Sequence, residues 1–214
     1  MKALKELVFG KPIGLSLYYK VVAADEMLES LAERFREDPN ILAAYIKPGV
    51  EPPILDSNIA VADGLAPGFP TKDLTSFQRY LNAASEGGVD ARVAWSREGG
   101  TGKNVNIIDI EGAWQFTHED LKDNQGGVVG GIPIASREWR NHGTAVLGIF
   151  SGDLNDFGIT GICPDANVSA ISIFGNSQGS PTADWGAAAA IRQAADKLNP
   201  GDIMLIELHY PGPR

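Results

Sequence analysis

The order of apolar and polar positions divides the chain into three stretches. In the first, Leu15, Leu17, Tyr19 and Val21 alternate with Ser16, Tyr18 and Lys20, the period of a half-buried strand. Asp25 then reads as an N-cap, and Met27, Leu28, Leu31 and Phe35 form an apolar stripe at helical spacing. Asp38-Pro39-Asn40 breaks that helix, and Ile41 to Ile46 reads as a second strand. The pattern predicts a small α+β module over residues 1–54. Residues 55–76 follow as a Pro-rich linker, in a stretch where Pro48, Pro52, Pro53, Pro67 and Pro70 stand among glycines.

From residue 77 the density of apolar positions rises again. Phe77, Tyr80 and Leu81 suggest one short helix, and Val89 to Trp95 another. Val105 to Ile110 is a near-continuous apolar run, as expected of a strand buried on both faces of a parallel sheet. A helix over His142–Phe150, with Gly152 as its C-cap, is followed by a strand over Val168–Phe174. An alanine-rich helix then spans Pro181–Leu198, and a last strand covers Asp202–Leu208. Strands alternating with helices predict an α/β fold, a parallel sheet flanked by helices, with its functional groups at the carboxyl ends of the strands.

Composition narrows the function classes. The chain has 214 residues, 43% hydrophobic and 21% charged, enough for a sizeable core. A net charge of -9 and a pI near 4.8 argue against nucleic acid or an anionic membrane as the main partner. A single cysteine, Cys163, excludes an internal disulfide and a cysteine-rich metal site; it reads as a core filler. The charged N-terminal residues and the lack of a long apolar run predict a cytoplasmic address.

The chemistry concentrates at two places. Asp109 ends the Val105–Asp109 strand, and His142 opens the helix that continues Gly143-Thr144-Ala145-Val146-Leu147-Gly148. Near a helix N-terminus an imidazole is held neutral, as a general base requires, and a buried carboxylate opposite would fix its tautomer. Glu111, two residues past Asp109, is expected to face solvent. An acid here could also serve a phosphoacceptor or magnesium-binding α/β domain, a reading that leaves His142 unexplained. Gly99-Gly100-Thr101-Gly102 is a turn, since a strand rather than a helix follows it.

The segments Gly102–Asp109, Thr117-His118-Glu119-Asp120-Leu121, Asn141–Gly148 and Gly158–Ala166 resemble, in order and spacing, the blocks of subtilisin-like serine peptidases (subtilases). The resemblance covers about residues 85–210 and departs from the family pattern at Asp109-Ile110-Glu111. It implies that Asp109 and His142 are the acid and base of an Asp-His-Ser triad, with His118 structural. It also implies that residues 77–214 are the N-terminal part of a catalytic domain incomplete at the C-terminus, and that residues 1–54 are propeptide-like. Gly175, Gly179 and Leu208 become substrate-binding candidates for a peptide. Asp153, Asn155 and Asp156 are candidates for a structural calcium, though no cofactor is required.

No serine here sits in a small-residue nucleophile turn; Ser136, Ser151, Ser177 and Ser180 are the ones weighed. A missing C-terminal portion or a second chain would have to bring the nucleophile, and the 214-residue chain alone is expected to be inactive. The alternative is a non-catalytic subtilase relative that binds peptides or a partner.

Overall fold

A computed structural model describes residues 19–47, 71–176 and 185–210. The chain divides into two compact units, Met1–Gly49 with Pro211–Arg214, and Val50–Tyr210.

In the first unit one helix, α1 (Asp25–Arg36), is described. Asp25 and Glu26 in its first turn and Arg34 and Arg36 in its last complement the helix dipole. Asp25 begins the helix, so the capping position falls to Ala24, which offers no side-chain bond. Asp38 accepts the backbone N–H of Asn40 at 2.8 Å, which closes the turn that stops the chain after α1. The expected strands do not form at Tyr19–Val21 or Ile41–Ile46; residues 14–18 lie outside the described residues. Alternation assigns faces to a segment but supplies no partner for its backbone, and Tyr19, Leu42 and Tyr45 stand exposed.

The second unit is built on a four-stranded parallel sheet. Its strands are β1 (Asn106–Glu111), β2 (Gln125–Gly130), β3 (Asn167–Ser172) and β4 (Ile203–Ile206), in the order β2-β3-β1-β4. Before β1 come three 3-10 turns (Thr75–Phe77, Arg79–Leu81, Ala84–Glu86) and the short helix α2 (Ala91–Trp95). Helices α3 (Arg137–Ser151) and α4 (Ala187–Lys197) provide the connections that parallel pairing requires.

β1 is central, and Ile107 to Glu111 are all buried, as its apolar run predicts. Its alternate residues feed two cores. Ile108 and Ile110 pack with Ile171, Trp139, Ala190 and Ala194 on the α4 side. Ile107 packs with Trp114, Leu147, Val168 and Ala170 on the α3 side. Ala190 and Ala194 have no exposed surface, so the small side chains let α4 lie close on the sheet.

Three features differ from expectation. β2, Gln-Gly-Gly-Val-Val-Gly, carries no strand pattern and pairs with β3 through register shifts. Two of its glycines have local reasons: a Cβ on Gly126 would lie 2.3 Å from Oγ of Ser169 in β3, and Gly127 takes a left-handed φ of 67°. Residues 71–73, expected in the linker, are bound into this unit. Asp73 bridges to Gly158, Leu74 donates to the Gly158 carbonyl at 2.8 Å, and Thr71 bonds Glu119. Finally α3 starts at Arg137, capped by Ser136, whose Oγ accepts the Trp139 N–H at 3.3 Å. No helix among the described residues is long and apolar enough to cross a membrane.

Candidate active site

Because the cap lies at Ser136, His142 sits in the second turn of α3 rather than at its N-terminus. The turn places its ring against the carboxyl end of β1, where Nδ1 meets Oε1 of Glu111 at 3.0 Å. Both side chains are buried, His142 at 6% and Glu111 at 0% exposure. Glu111 therefore does not face solvent, contrary to expectation. It ends a central strand with sheet on both sides and a helix above, which leaves its carboxylate nowhere to turn but inward.

Asp109 is equally buried but has a different partner. Its Oδ2 accepts the indole N–H of Trp114 at 2.6 Å, and Oδ1 has no partner among the described residues. The expected Asp109–His142 pairing is replaced by Glu111–His142. The two acids share one face of β1, and the one nearer the strand end holds the imidazole.

The charge states follow from these surroundings. Burial pushes the Asp109 carboxyl well above the usual carboxylate range, and the charges of Glu111 and Glu207 push the same way. Burial also raises Glu111, against the pull of its bond to His142. The bond to Glu111 raises His142, opposed by burial and helped by the charge of Glu207. A neutralising helix N-terminus, expected from the sequence, is not what governs this ring. Glu207, overlooked in the sequence, follows β4 and donates its backbone N–H to Ile110 O at 3.4 Å. Its place one residue beyond the β1–β4 pairing is the signal that could have found it.

The remaining candidates are distributed as follows. Ser136 caps α3, and Ser151 Oγ donates to Leu147 O at 2.9 Å. Outside that set, the buried Ser172 Oγ lies 3.0 Å from the carbonyl oxygens of both Gly112 and Ile132, between which its one proton is shared. Ser177, Ser180 and Gly179 lie outside the described residues. Gly175 follows β3, whereas Leu208 packs partly buried against the α4-side core. His118 Nδ1 accepts the Asp120 N–H at 3.2 Å. Cys163 donates its thiol to Phe150 O at 3.0 Å, and burial pushes that thiol up.

Two of the three calcium candidates accept backbone N–H groups. Asp153 accepts the backbone N–H groups of Lys122 at 2.8 Å and Asp123 at 3.2 Å, and Asn155 Oδ1 accepts that of Phe157 at 3.0 Å. Asp156 is exposed. Among the described residues no group of three or more His, Cys, Asp or Glu side chains could hold a metal ion.

No protein-family profile matches the chain. It is 27% identical over 120 residues to the major intracellular serine protease of Bacillus subtilis, covering 52% of this chain and 37% of that protein. An intracellular serine protease of Paenibacillus polymyxa is 29% identical over 123 residues, 52% of this chain and 36% of its own length. The minor extracellular protease Epr of Bacillus subtilis is 29% identical over 175 residues, 79% of this chain and 25% of its own length. The chain thus spans between a quarter and little more than a third of these relatives.

Proposed function

From the chain's relationship to subtilisin-type serine proteases, we propose that Glu111 and His142 are the acid and base of a peptide-bond-hydrolysing triad, with glutamate in the orienting role. The observation that carries this reading is the buried 3.0 Å contact between Glu111 Oε1 and His142 Nδ1. A carboxylate on Nδ1 holds the proton there and leaves the Nε2 lone pair as the base. Nε2 takes the proton of a serine hydroxyl as it attacks the scissile carbonyl, and Glu111 stabilises the imidazolium that results. The imidazolium then gives its proton to the leaving amine.

The serine and the oxyanion donors come, in this reading, from a further C-terminal portion or a second chain. Ser136, Ser151 and Ser172 are committed to backbone groups, which supports it. So does an apolar groove of about 380 Å³ between α3 and β4, walled by Val146, Phe150, Ile203 and Leu205, with Ile149 and Ile203 exposed beside it. A cytoplasmic location follows the two relatives named intracellular rather than the one named extracellular, and fractionation checks it.

A fluorophosphonate probe tests the proposal. The 214-residue chain should remain unlabelled, while a longer or partnered form carrying a nucleophile segment should label. That labelling should be lost in His142→Ala and fall by about 10³–10⁴-fold in rate in Glu111→Gln. Labelling of the chain alone would overturn the account. A completed form that stays unlabelled yet retains peptide would make this a binding protein instead.

A further inference from the structure

Asp109 is a second buried acid that the Glu111–His142 pair does not use. It lies on the α3-facing side of β1, in the same row as Ile107 and Glu111. One of its oxygens accepts a single N–H, from Trp114, and the other has no partner among the described residues. An ionised carboxylate would be costly there: one donor does not replace a hydration shell, and Glu111 and Glu207 already bring negative charge to the same strand ends. A neutral carboxyl fits the surroundings, since its carbonyl oxygen takes the indole N–H.

Trp114 connects this acid to the helix. The indole is 8% exposed and packs in the core that includes Leu147 of α3. A Cβ on Gly143 would lie 2.4 Å from Ala113 O and 2.7 and 2.8 Å from Cδ1 and Nε1 of Trp114. The bare backbone at Gly143 therefore rests on the same edge of the indole that donates to Asp109. His142 is the next residue.

We propose that Asp109 is a positioning residue held as a neutral carboxyl: through Trp114 it seats α3 at Gly143 and so sets where His142 meets Glu111. The inference rests on reading Glu111 and His142 as the acid–base pair. The upward shift that burial and neighbouring charges give the Asp109 carboxyl agrees with it.

The test is an NMR titration of His142 in the 214-residue chain, assigned against His118 and His209, together with the Trp114 indole resonance. Glu111→Gln should lower the His142 midpoint by about 1–3 pH units, by removing the adjacent charge. Asp109→Asn should leave that midpoint within a fraction of a unit and keep the indole proton in its hydrogen-bonded position. Trp114→Phe, which changes no charge, should lower the midpoint by loosening the seat of α3. If Asp109→Asn lowered the midpoint as far as Glu111→Gln, Asp109 would be an ionised partner of His142 and the inference would fall with the pair intact. A folded Trp114→Phe chain with an unmoved midpoint would also overturn it. If Glu111→Gln alone left the midpoint unchanged, the pair itself would be refuted.

Discussion

Helix α3 contains two buried glycines, and replacing each with alanine separates intrinsic helix preference from packing. Either change should gain about 1 kcal/mol from helix propensity. At Gly143 the new methyl meets Ala113 O at 2.4 Å and the Trp114 ring at 2.7 and 2.8 Å. A backbone oxygen and a buried indole cannot step aside, so the overpacking cost sits at the upper end of its range, about 3 kcal/mol. The net loss is about 2 kcal/mol. At Gly148 the methyl meets only Ile159 Cδ1, at 2.9 Å. That is the mobile tip of a side chain, so an overpacking cost of about 1 kcal/mol cancels the propensity gain. All four tryptophans lie in the Val50–Tyr210 unit, so urea unfolding followed by tryptophan fluorescence reports on this unit. Gly143→Ala should lower the unfolding free energy by about 2 kcal/mol relative to Gly148→Ala. Equal stabilities would refute the claim that α3 is seated on Trp114 at Gly143.

Asp109 should make stability pH-dependent in a direction opposite to an ordinary paired acid. Its carboxyl ionises near 3.8 in the unfolded chain and well above that when folded, so the unfolded state sheds its proton first as pH rises. Stability then falls by about 1.4 kcal/mol per pH unit until the folded group ionises. Asp109→Asn should flatten the decline in urea midpoint that sets in as pH rises above 3.8, and an unchanged slope would contradict the buried neutral acid. Gln78 bridges the backbone of Thr160, accepting its N–H at 2.9 Å and donating to its carbonyl at 2.8 Å. Gln78→Ala strands both groups in the interior and should cost about 2–4 kcal/mol, read by the same unfolding assay. Asp153→Ala removes the acceptor of the Lys122 and Asp123 N–H groups and should cost about 1–3 kcal/mol, with or without added calcium. A loss seen only with calcium present would return Asp153 to the role of a ligand.

Much of the sheet was legible because burial writes itself as composition. The run through Ile107, Ile108 and Ile110 marks β1, the alanines of α4 mark a helix lying close on the sheet, and the glycine-rich turn before β3 marks a close approach. β2 was not legible: an edge strand of glycines carries neither alternation nor bulk, and what makes it a strand is pairing with β3. The N-terminal strands failed for the converse reason, since Tyr19 and Val21 alternate correctly but have no neighbour to pair with among the described residues.

The identity of the acid is the subtler case, because both candidates satisfy the same period. Asp109 and Glu111 project from one face of β1, about 7 Å apart along the strand, so a ring bonded to one cannot bond to the other. Which one it meets depends on how far into α3 the histidine lies, which the Ser136 cap marks, and on where Gly143 beside it rests against Trp114. Ser136 with Glu138 behind it was a readable start signal, and it moves His142 from the first turn to the second. Burial then sorts the two acids physically. The inner one, surrounded by core and given one donor, is stable only when neutral. The outer one, at the strand's last position, can hold a charge because His142 meets it there with a proton.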